Sequence, residues 1–152
     1  MATRANYFAL APKAMQILLS QEQYLHTQFS ESETMTPALW HMVKLRVSQI
    51  NQCAFCIDIH TKEAARQGES WERMLGLSAW RDMPLYTDIE RTVLGWAEHL
   101  TAGSRVEDEQ YQAVVAVLGE QALVNLTLAV NAINSWNRVA KTFKPEVGSY
   151  QP

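Results

Sequence analysis

Nowhere in these 152 residues does hydrophobicity alternate with a period of two over the length of a strand. Apolar residues recur instead at steps of three and four between helix-starting and helix-ending residues, and that pattern specifies an all-α fold. Pro12 suits a first helical position, and the stripe Met15, Leu18, Leu19, Leu25 and Phe29 predicts a helix over about 12–29. Thr36-Pro37 reads as N-cap and first helical residue of a helix carrying Leu39, Met42, Val43, Val47 and Ile50. Asn51 either ends that helix or caps the next, which runs to Gln67 and stops at Gly68. Gly76 and Pro84 divide 69–86 into one or two short helices, around 71–75 and 79–83. Thr87-Asp88-Ile89-Glu90 is a capping box that opens a helix ending before Gly103. Helices over about 108–118 and 121–143 complete the chain, and 145–152 is expected to be a loose tail. No repeat, linker or low-complexity tract splits residues 1–152, which are expected to form a single domain.

The net charge of -3 gives no reason to expect nucleic acid or an anionic membrane as partner. No apolar run approaches the length of a spanning helix and no secretory signal opens the chain, so it reads as soluble and cytoplasmic.

The chemistry concentrates in Cys53-Ala54-Phe55-Cys56-Ile57-Asp58-Ile59-His60, which holds both cysteines of the protein. On a continuous helix Cys53, Cys56 and His60 fall at i, i+3 and i+7, on one face. Cys53 would then occupy the first turn, where free N–H groups and the macrodipole favour a thiolate. In a reducing compartment such a pair indicates redox chemistry or metal binding rather than a structural staple. A thioredoxin-type reading needs a strand before the motif, and the preceding segment is helical in pattern. A zinc site could take Cys53, Cys56 and His60 with His41 as fourth ligand. The motifs of serine hydrolases, phosphate loops and zinc peptidases are absent.

Met42-Val43-Lys44-Leu45-Arg46-Val47-Ser48-Gln49-Ile50-Asn51, then Cys53-x-x-Cys56-x-x-x-His60 and Ala64 to Gly68, resembles the alkylhydroperoxidase D-like core of the carboxymuconolactone decarboxylase superfamily. Glu90-Arg91, Trp96-Ala97-Glu98 and Asn134-x-Trp136-Asn137-Arg138 are similar to that family's later helices, so the likeness spans most of the chain from Thr36, with its core motif at 36–68. The resemblance implies helical subunits assembled as trimers or hexamers. It implies reduction of organic hydroperoxides by thiols without haem, flavin or metal, with an external dithiol as reductant. By position, Cys56 would be the peroxidatic cysteine, Cys53 the resolving one and His60 a proton relay. Two positions depart. His41 occupies the place of the relay glutamate, twelve residues before Cys53, and Gln52 stands where glycine is common. His41 is therefore expected to substitute in the relay and to set a pH dependence near neutrality. The alternative to an enzyme is a thiol redox sensor or a zinc-binding protein built on the same four residues.

Several other residues invite simpler roles. Arg46 is expected to pair with Glu90 or another carboxylate, Arg138 to be structural and packed at a subunit contact, and His26 and His99 to lie on solvated faces. Phe55 and Trp40 suit core packing, or the wall of an apolar pocket.

Overall fold

A computed structural model describes residues 4–152 and contains, among them, eight α-helices and no strand. They are α1 (Tyr7–Leu10), α2 (Pro12–Ser30), α3 (Pro37–Ile50), α4 (Ala54–Arg66), α5 (Trp71–Gly76), α6 (Asp88–Thr101), α7 (Asp108–Leu118) and α8 (Glu120–Phe143), with a 3₁₀ turn at Leu77–Ala79. The all-α expectation holds.

The caps explain most boundaries. Thr36 Oγ1 accepts from Leu39 N at 3.2 Å and Pro37 opens α3, which removes an N–H that would otherwise lack a partner. Thr87 Oγ1 accepts from Glu90 N at 3.3 Å and Glu90 Oε2 accepts from Thr87 N at 2.8 Å, the reciprocal box read in the sequence. Gly68 follows α4 at φ +89°, the left-handed conformation in which glycine escapes a Cβ clash.

α3 is the central helix. It buries Leu39, Trp40, Met42, Val43, Lys44, Leu45, Val47 and Ser48 and touches α2, α4, α6 and α8. On one side Trp40, Val43 and Val47 join Leu25 and Phe29 of α2, Val93 and Trp96 of α6, and Leu126, Val130 and Ile133 of α8. On the other, Met42 and Leu45 meet Ala64, Met74, Leu77, Trp80 and Leu94. Each fully buried aliphatic contributes about 1.5–3 kcal/mol, so the helix that buries the largest share of its residues anchors the bundle. With α3 fixed, α4 docks along it and the Cys-x-x-Cys segment is held at their junction.

Three regions differ from the sequence reading. The 79–83 segment is a series of turns, because Arg91 of α6 donates to the carbonyls of Trp80, Arg81, Met83 and Tyr86 and satisfies backbone that would otherwise need a helix. The short helix α1 had no legible signal; Asn6 Oδ1 caps it by accepting from Ala9 N at 3.1 Å. The expected loose tail is tied to α4: Lys62 Nζ donates to Tyr150 O at 2.9 Å and Tyr150 Oη donates to Glu63 Oε1. Arg46 pairs at 2.7 Å with Glu98, while Glu90 takes Arg73 instead.

Candidate active site

α3 ends at Asn51 and the chain must reverse before α4 begins. Gln52 makes the turn at φ 54°, the left-handed region, which costs an L-residue about 1–2 kcal/mol and which glycine adopts without that cost. Cys53 follows in an extended conformation (φ -93°, ψ 94°) as N-cap of α4. The expectation that Cys53 lies inside the first turn is corrected: Cys56 does, as third helical residue, with its N–H among those that have no acceptor within the helix. The dipole argument for a thiolate therefore applies to Cys56. The extended cap also brings the two sulfurs together. Cys53 and Cys56 form a disulfide with Cα atoms 5.3 Å apart, inside the ordinary span.

α8 fixes this junction. Asn51 Nδ2 donates to Asn134 Oδ1 and Asn137 Oδ1, each at 2.9 Å, and Asn137 Nδ2 donates to Ser48 Oγ at 3.0 Å. Lys141 Nζ donates to Asn51 O at 2.7 Å. Arg138 donates to Asn134 O at 3.0 Å, one turn back in α8.

Both cysteines are buried, but only Cys56 lines a cavity of about 790 Å³. Trp40, Phe55, Ile59 and Trp136 contribute apolar surface; His41, Lys44, His60 and Glu63 contribute polar atoms. Trp40 thus serves both roles foreseen for it, in the core and on the cavity wall. The His41 and His60 rings lie 5.9 Å apart, so the structure brings His41 to the face of α4 that carries His60. Nδ1 of each is buried without a hydrogen-bond partner. Burial, reinforced by the Lys44 charge, lowers the His41 pKa to about 4 against an opposing pull from Glu63. Burial and the same lysine push His60 well below its usual range. Both rings are therefore neutral near pH 7, and the step expected from His41 near neutrality moves to about pH 4.

Sequence reading missed Lys44, Glu22, Glu63 and Tyr150. Lys44 is 5% exposed, accepts compensation from Glu22 of α2 at 2.6 Å, and places Nζ 3.4 Å from the centre of the Trp40 ring. Glu63 continues the Cys56–His60 stripe and was legible as such; Tyr150, 87 residues away from Glu63, was not. His26 is exposed, as expected, and His99 is half-buried with Nε2 2.9 Å from Arg105 O. With the two sulfurs bonded to each other, no group of three or more His, Cys, Asp and Glu side chains among the described residues is arranged to hold a metal ion.

An all-helical bundle with a Cys-x-x-Cys disulfide at a helix start and a histidine one turn later defines a small class of proteins. Residues 20–99 match the carboxymuconolactone decarboxylase family, and the chain belongs to that family, with the alkylhydroperoxidase D-like fold. The chain is 37% identical over 142 residues to YdfG, an uncharacterized protein of Bacillus subtilis strain 168, covering 92% of this chain and 93% of that one. It superposes with a TM-score of 0.85, at 36% identity, on ATU0492 of Agrobacterium tumefaciens, a protein of unknown function described as a candidate antioxidant defence protein AhpD. That match covers 98% of this chain and all of the other. An uncharacterized peroxidase-related protein from Silicibacter sp. TM1040 shares the fold at 19% identity and a TM-score of 0.79, over 93% of this chain and 74% of that one.

Proposed function

We propose that this protein is a cysteine-dependent peroxidase that reduces organic hydroperoxides through a Cys53–Cys56 disulfide cycle. The observation that carries the reading is the asymmetry of the pair: Cys56 faces the cavity beside His60, while Cys53 does not line it. In the reduced protein the Cys56 thiol passes its proton to His60, neutral and therefore able to accept it. The thiolate sulfur attacks the terminal oxygen of the hydroperoxide; the O–O bond breaks, an S–O bond forms, and the alkoxide takes up the proton. Cys53 then attacks the sulfenic acid, closing the disulfide and releasing water. An external dithiol returns both thiols by exchange, a reaction suited to a reducing cytoplasm. Both electrons come from sulfur, so the cycle requires no haem, flavin or metal.

The cavity's volume and aromatic walls favour a substrate with a bulky apolar body. Cumene hydroperoxide added to reduced protein is expected to yield the Cys53–Cys56 disulfide quantitatively, detected by peptide mass spectrometry, at a rate above that for hydrogen peroxide. Two thiols left free, or two overoxidised without a disulfide, would sink the mechanism.

The surface also bears exposed apolar side chains, among them Leu10 (75%), Ile17 (71%), Trp71 (63%) and Leu75 (76%). These side chains supply apolar surface for contacts between copies, and the resemblance to a family of trimers and hexamers makes a homo-oligomer of three or six chains the expected state. Light scattering checks it: a 17.3 kDa species at micromolar concentration is the contrary result.

A further inference from the structure

Glu63 stands one turn beyond His60, so Cys56, His60 and Glu63 fall at i, i+4 and i+7 along one face of α4. It is 5% exposed, which is rare for a carboxylate unless it is paired. Its partners come from three parts of the chain. Arg66 Nη2 donates to Oε2 at 2.7 Å, Tyr150 Oη donates to Oε1, and His41 Nε2 lies 4.0 Å from Oε2. His41 in turn faces the His60 ring.

We propose that Glu63 is the carboxylate end of the proton relay, acting through His41 on His60 and Cys56, and that Tyr150, at the end of the chain, holds it in position. The proposal rests on the cysteine chemistry given above and replaces the carboxylate that α3 lacks with one from α4. When Cys56 gives up its proton, a cation forms on an imidazole in a buried site. Burial opposes that cation, and so does Lys44 of α3, which lowers both histidines. His26 of α2 and Arg66 of α4 add positive charge. Glu22 of α2 is committed to Lys44 at 2.6 Å. Glu63 supplies the negative charge that pulls His41 the other way. Burial pushes its own carboxyl up, but hydrogen bonds from Tyr150 and Arg66 and the nearby positive charges hold it below the usual range, so it is ionised when needed. The 4.0 Å gap to His41 is wider than a hydrogen bond, and a small swing of the ring closes it once that ring carries a proton.

Tyr150 acts on Glu63 and touches no reacting atom, which makes it a positioning residue. Its carbonyl accepts from Lys62 Nζ, which also donates to Asp58 Oδ2 at 2.9 Å, so the tail is tied to α4 at two points.

The test uses the reduced full-length chain in a Cys53→Ser background, so that iodoacetamide reports on Cys56 alone. Glu63→Gln is expected to move the pH midpoint of alkylation up by about one unit, and with it to slow hydroperoxide reduction about tenfold near neutrality. Tyr150→Phe should shift the midpoint in the same direction by less. The exchange His41→Glu with Glu63→His should recover most of the loss caused by Glu63→His alone, because it restores one carboxylate and one imidazole to the relay. An unmoved midpoint in Glu63→Gln overturns the proposal, whether or not the melting temperature falls. Additive losses in the exchange variant overturn it too, since a packing role predicts them. Alkylation needs no peroxide, so a Glu63→Gln midpoint that shifts as described, together with a wild type that turns over no hydroperoxide, would refute the peroxidase reading and leave the relay standing.

Discussion

Cys56→Ser is expected to lower hydroperoxide reduction by roughly a thousandfold or more, because a serine hydroxyl lacks the nucleophilicity of a thiolate and its oxygen cannot be oxidised by the substrate. Cys53→Ser should behave differently. Its Cys56 faces the same cavity and should complete one attack at close to the wild-type rate, then stop as a sulfenic acid with no partner to condense with. A single-turnover experiment with stoichiometric cumene hydroperoxide separates the two variants. The Cys53→Ser protein should release one equivalent of alcohol and become reactive toward dimedone, whereas Cys56→Ser should do neither. The reverse pattern would exchange the roles of the two cysteines. The structural warrant is local: Cys56 occupies the first turn of α4, and Cys53 stands outside the helix as its cap.

The second large effect concerns the amide network under the motif. Asn137 is fully buried and joins α8 to the end of α3, accepting from Asn51 and donating to Ser48. Asn137→Ala removes both bonds, strands the Ser48 hydroxyl and leaves a void, at a cost of about 2–3 kcal/mol. For a chain of this length that is a fall in melting temperature of roughly 5–10 °C. Ser48→Ala should cost less, since it removes a single partner. The double variant should cost less than the sum of the two, by about 0.5–1 kcal/mol, because the pair shares a bond. Strictly additive losses in thermal denaturation would show that the bond between them is energetically idle. The same network sets the turn at Asn51–Gln52, so Asn137→Ala should also slow disulfide formation.

The protonation argument has a sign that can be followed. His41 is held down to about 4 by burial first and Lys44 next, with Glu63 opposing. Between pH 5 and 8 the ring is therefore neutral, and the rate should rise with pH as Cys56 ionises rather than as His41 titrates. In the proposed relay His41 would therefore act as an acceptor, not as a switch charged near neutrality.

The helices were legible because their signals are local. Thr36-Pro37 and Thr87 to Glu90 specify their own starts through hydrogen bonds spanning three residues, and Gly68 specifies an end through its own backbone angles. The placing of Cys56, His60 and Glu63 on one face of α4 likewise follows from spacing alone. The tertiary structure decided what spacing cannot carry. It put Cys53 on an extended cap, because the chain reverses after α3 through the left-handed Gln52 before α4 begins. It set both histidines to the neutral state, because burial beside Lys44 depends on α2, α3 and α4 converging. It also folded the last residues back onto α4, where Tyr150 meets Glu63 across 87 positions of sequence. A side chain's neighbours on its own helix are written in its sequence; its dielectric surroundings, and the partners that reach it from elsewhere, exist only once the helices pack.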